Sequence, residues 1–107
     1  MKDCTVNILG TEYSISVDES LEKSSCDGLC KEYDKAITIR SIEAMLCEED
    51  STETKKRRYD QVLRHELIHA FFCEAGLDDY SSNEQLVDWI AIQSPKIFKI
   101  FQELDIL

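Results

Sequence analysis

His65-Glu66-Leu67-Ile68-His69 carries the clearest chemistry in the chain. On an α-helix, positions four apart lie about 40° apart around the axis and one turn apart along it, with Cβ atoms roughly 5–6 Å from each other. Two imidazoles so placed can share one ion, at Zn–N distances of about 2.0–2.1 Å. Glu66 lies about 60° from His69 on the same wheel. From there it can reach a water on that ion without ligating it, which is how HExxH supplies two ligands and a general base. The chain has two His; chance sets such a pair four apart, with a Glu straight after the first, about 0.2% of the time. Two buried imidazoles one turn apart also need polar partners, and a shared cation supplies one.

With no third His, a third ligand must come from elsewhere. The metzincin pattern requires Gly and His where Phe72 and Ala75 stand, which excludes that class. Cys73 is one turn beyond His69, but its short side chain sits a full turn above an ion shared by the two imidazoles. Glu84, in Asn83-Glu84-Gln85-Leu86-Val87-Asp88, is the better candidate, ahead of Asp88, Asp79 and Asp78. If Glu84 ligates, Asp88 lies one turn further along and can accept the outer N–H of a ligating His, as such sites commonly require.

HELIH followed by NExxxD resembles the gluzincin clan of zinc metallopeptidases. In size and layout the chain is similar to the small phage and mobile-element zincins of the ImmA/IrrE type. That resemblance implies zinc on His65, His69 and Glu84, with Glu66 as general base and Asp88 behind one His. It also implies hydrolysis of a peptide or protein substrate lying along an edge strand, for which Ala36 to Arg40 is the expected piece. One departure stands out: larger relatives add a His or Tyr that stabilises the oxyanion. Tyr80, just before Glu84, is the expected substitute, with Tyr33, Tyr59 and Arg64 behind it. Losing such a donor costs about 10²–10³ in turnover. Activity is therefore expected to be weak or selective, and the alternative is a non-catalytic zinc-binding regulatory or interaction protein.

The positioning elements read as α+β, within one domain spanning residues 1–107. Residues 4 to 17 alternate as a hairpin. A two-residue type II′ turn at Gly10-Thr11 would pair Ile8 with Tyr13, Val6 with Ile15 and Cys4 with Val17 on one face. Residues 18 to 35 are polar and irregular and read as a loop, and Ala36 to Arg40 as a third strand. The expected sheet is therefore small and antiparallel, packed on a buried active-site helix and two further helices.

That active-site helix runs from about Thr52 to Ala75, opened by an Asp50/Glu53 capping box and closed at Gly76. Ser81 or Ser82 caps a second helix to about Gln93. Ser94-Pro95 starts a third, whose Ile97, Phe98, Phe101 and Leu104 read as core, because a small domain needs all the apolar area it can bury.

Composition narrows the function classes. Twenty-two acidic against twelve basic side chains give a net charge of −10, a field that repels phosphate backbones and attracts cations. Nucleic acid is thus not an expected partner, and the cluster Lys55, Lys56, Arg57, Arg58 and Arg64 reads as a solvated helix face. Five Cys is an odd count, pointing to reduced thiols rather than a disulfide scaffold. A zinc site built from Cys26 and Cys30 with Cys47 or Cys4 has only loose spacing behind it. No apolar run suggests a signal peptide or a membrane span, so a cytoplasmic protein with no membrane partner is expected.

Overall fold

The computed structural model describes residues 3–18 and 26–107. Four strands come first: β1 (Cys4–Ile8), β2 (Thr11–Val17), β3 (Gly28–Lys31) and β4 (Ala36–Ile39). A short 3₁₀ turn at Ile42–Ala44 leads to helices α1 (Thr52–Glu74), α2 (Asp78–Ser81) and α3 (Glu84–Glu103). The α+β class is as the sequence predicts. Among the described residues, however, the sheet has four strands in the order β1-β2-β4-β3, and it is mixed: β2 pairs with β4 in parallel, the other neighbours antiparallel.

Two local readings of the first half are corrected. The hairpin turns at Leu9-Gly10, so Val6 faces Tyr13 and Ile8 faces Thr11, two residues from the expected register. Both loop residues have positive φ, 50° and 96°, the pattern of a type I′ turn, whose twist matches that of the strands. Asn7 stabilises it by accepting the Gly10 N–H through Oδ1 at 2.8 Å. A two-residue slip leaves every side chain on its original face, so Ile8, Tyr13 and Ile15 are buried as expected. The second correction is β3, which lies inside the stretch read as a loop. It pairs with β4 through Cys30 opposite Ile37. Residues 19–25 of that stretch lie outside the described residues.

One face of the sheet packs on α1. Ile8, Tyr13, Ile15 and Ile37 meet Ala70, while Ile39 and Met45 meet Tyr59 and Val62. Each fully buried aliphatic side chain of this kind contributes about 1.5–3 kcal/mol. The α1 face turned from the sheet is only half covered, with Phe71 45% exposed, so the helix is less buried than its composition suggests. Its N-cap is Ser51, which accepts the Thr54 N–H at 3.1 Å, displacing the expected Asp50 box. Asp50 instead accepts the Cys47 N–H. At the far end Gly76 and Leu77 donate back to Cys73 and Phe72, a Schellman closure. Glu74 ties this end to the sheet, accepting from Thr11 and Tyr13 hydroxyls at 2.6 Å and from Lys35 at 2.8 Å.

The expected break at Ser94-Pro95 does not occur. α3 is capped by Asn83, which accepts the Leu86 N–H, and runs unbroken through Pro95. Proline removes the N–H that would bond the carbonyl four residues back, here Ala91. Arg64 of α1 replaces it, with Nε donating to the Ala91 oxygen at 2.7 Å. The rest of the basic cluster lies along the helix surface, with Lys56 and Arg57 exposed: Arg58 pairs with Asp27, Lys56 with Asp60, and Lys55 donates to the Glu43 carbonyl. Among the described residues no helix is long and apolar enough to cross a membrane.

Candidate metal centre

α1 turns one face to the sheet and a neighbouring face to α2 and α3. Glu66 falls on the first, 8% exposed, and His65 and His69 fall on the second. Between the helices the side chains converge. His65 Nε2 lies 3.0 Å from Glu84 Oε2, His69 Nε2 lies 3.1 Å from Glu84 Oε1, and the two Nε2 atoms are 3.1 Å apart.

A tetrahedral zinc ion with N and O ligands at about 2.0–2.1 Å holds those atoms about 3.3 Å from one another. The donor set and its spacing therefore fit such an ion. Glu84 opens α3 directly after its cap, where the positive end of the helix dipole favours a carboxylate.

Each imidazole is held from behind. His65 Nδ1 lies 2.7 Å from Asp88 Oδ1, and His69 Nδ1 lies 3.2 Å from Ser81 Oγ. With Nδ1–H donating in both rings, both Nε2 lone pairs point at the shared centre. Asp88 stands where the sequence places it. Ser81 was not foreseen as a His partner; its sequence signal reads only as a helix cap. In the structure it is 9% exposed and also donates to the His69 carbonyl.

Glu66 stands outside the His65, His69 and Glu84 group and is buried. Burial, first of all, pushes its carboxyl up to about 7; His65 pulls the other way, and Glu84 and Asp88 add to the rise. A carboxyl so placed can take up and release a proton near neutrality. Gly28 of β3 makes room for it, since a Cβ there would come within 2.9 Å of Val62 Cγ1 and 3.1 Å of Glu66 Cγ.

The centre opens into a cleft of about 480 Å³. Among the described residues its lining includes four carboxylates, Glu32, Glu66, Asp78 and Glu84, and no Lys or Arg. Cys73 is not drawn to the His pair; it forms a second group with Glu32 and Asp78, whose ligand atoms lie within 4.8 Å of one another. Asp79 belongs to neither group. Among the described residues Cys4, Cys26, Cys30 and Cys47 form no metal-binding group, and none of the five Cys is in a disulfide.

Two placements differ from expectation. Ala36 to Arg40 does not form a sheet edge, because β4 lies between β2 and β3. Among the described residues β3 and β1 are the edge strands, and Gly28, Leu29 and Cys30 of β3 line the cleft. Tyr80 does not line it; its ring packs 6.1 Å from Phe72. Nor do Tyr33, 92% exposed, Tyr59 in the core, or Arg64 on the Ala91 carbonyl. No family model matches the sequence, and neither a curated protein nor a solved structure matches the chain.

Proposed function

We propose that the protein is a zinc-dependent metallopeptidase of the gluzincin type. The observation that carries this reading is the convergence of His65, His69 and Glu84 within 3.0–3.1 Å beside a buried, non-ligating Glu66. Three protein ligands are the count of a catalytic zinc site, whereas structural sites close with four. Zinc bound there supplies a Lewis acid that lowers the pKa of water and polarises a carbonyl.

The chain's own residues would handle orientation and protons. Asp88 and Ser81 fix the two imidazoles. Glu66 takes a proton from the attacking water and returns it to the leaving amine, the role of a carboxylate placed beside the ion and not on it. β3, as the edge strand beside the cleft, offers main-chain pairing to an extended peptide. Zinc content and cleavage of a mixed peptide library, measured for wild type and Glu66→Gln, test this directly. The variant is expected to keep zinc and lose cleavage at least about 10²-fold; undiminished cleavage overturns the mechanism.

A second reading, a zinc-binding regulatory or interaction protein, is favoured by one observation. Among the described residues none of the tyrosines, and no arginine or lysine, lines the cleft to stabilise an oxyanion. Zinc retention with no cleavage by wild type of any library member selects that reading.

A further inference from the structure

The apolar stripe read as core at the end of α3 is not core. Val87 and Ala91 are fully buried, but no residue of α3 beyond Pro95 is. Phe98, Ile100, Phe101 and Leu104 are 36–64% exposed, and Ile106 and Leu107 are 67% and 70% exposed. Large apolar side chains offer roughly 150–250 Å² each, so these six present on the order of 600 Å². That is at the top of what a monomer leaves to water. Two such faces brought together bury about 1,200 Å² in total, the lower end of a specific interface.

The charges on this segment say what covers it. The basic residues Lys96 and Lys99 come first, the acidic Glu103 and Asp105 last. No basic residue occupies the last turn of α3, so Glu103 stands at the negative end of the helix dipole, where a cation is favoured. Lys96 and Glu103, seven residues apart, share one flank beside Ile100. An antiparallel second helix sets like flanks together, so Lys96 of each copy meets Glu103 of the other, and the missing cation arrives at each helix end. Parallel pairing would set Lys on Lys. An anionic lipid surface suits the segment poorly, given its acidic end and the chain's net charge of −10.

We propose that the C-terminal half of α3 pairs antiparallel with the same half of a second copy, forming a two-fold dimer. The pairing centre near Ile100 is about 24 Å along the helix from Glu84, so the cleft stays open in both copies. The reading is independent of the metal centre.

Sedimentation equilibrium of the full chain, from about 5 to 200 µM, tests it. Wild type is expected at twice its 12.4 kDa. Lys96→Glu and Glu103→Lys should each be monomeric alone, with unchanged circular dichroism. Mixed one to one they should form a heterodimer, because each contact is again of opposite sign, and the double variant should recover the homodimer. A wild type that is monomeric across the range overturns the proposal, as do a dimer indifferent to either reversal and single variants that stay monomeric when mixed. Monomeric wild type that pellets with anionic vesicles assigns the face to lipid instead.

Discussion

Replacing Arg64 by Met should loosen the molecule at Pro95. The proline leaves the Ala91 carbonyl without its helical donor, and Arg64 Nε fills the gap at 2.7 Å. Ala91 is 0% exposed, so water cannot take over. Hydrogen bonds from a charged donor are worth about 1.5–3 kcal/mol, and a buried acceptor left unmade loses a similar amount. Met keeps the apolar stem and removes only the donor. A loss of about 2 kcal/mol lowers Tm by roughly 10 °C in a domain of this size.

The Pro95→Ala background supplies the control. There the residue 95 amide bonds the Ala91 carbonyl itself, and Arg64→Met should cost under about 0.5 kcal/mol, a coupling of about 1–2 kcal/mol. Urea unfolding of the four proteins, followed by far-ultraviolet circular dichroism, measures the cycle. Equal losses in both backgrounds would refute the reasoning, because Arg64 would then act by something other than replacing the proline's missing N–H.

Glu74 makes stability acid-sensitive. The hydrogen bond from Lys35, then those from Thr11 and Tyr13, hold its carboxyl down at about 2. A group depressed on folding contributes stability above its ordinary value of 4.5 and loses it as pH falls toward 2. Glu74→Gln should flatten the urea midpoint against pH across that window; parallel wild-type and variant curves would contradict this. Asp88→Asn, which weakens the acceptor behind His65, should lower zinc affinity about 10–100-fold in a competitive chelator titration without unfolding the chain. An affinity unchanged from wild type would detach Asp88 from the site. Gly28→Ala forces a Cβ onto Val62 and Glu66 and should destabilise by about 1–3 kcal/mol in thermal unfolding; a neutral variant would mean that β3 and α1 separate easily.

Much of the site is legible in sequence because it obeys local periodicity. HELIH puts two imidazoles on one helix face, and the spacing of Glu84 and Asp88 sets two carboxylates on one face of the next. Their meeting at 3.0 and 2.7 Å from His65 follows once the two helices pack. What sequence patterning misses depends on contacts between distant segments. β3 is four residues long with no alternating apolar pattern, and it is a strand only because β4 pairs with it. Pro95 reads as a break until Arg64, thirty-one positions upstream, supplies the missing donor. The hairpin slips by two because Leu9, an ordinary residue, takes a φ of 50°. Ser81 becomes the His69 partner only when α2 folds against α1. Phe98 and Leu104 match a core helix in spacing, and only the three-dimensional arrangement leaves them facing water.

The central claim is one ion shared by α1 and the start of α3, with Glu66 beside it and not on it. Elemental analysis of wild type, His65→Ala, Glu84→Ala and Glu66→Gln, each purified with zinc in excess and dialysed, measures this most directly. One zinc per chain in wild type and in Glu66→Gln, with loss in the two alanine variants, is the expected result. Zinc retained after both alanine substitutions, or absent from the wild type, contradicts the claim.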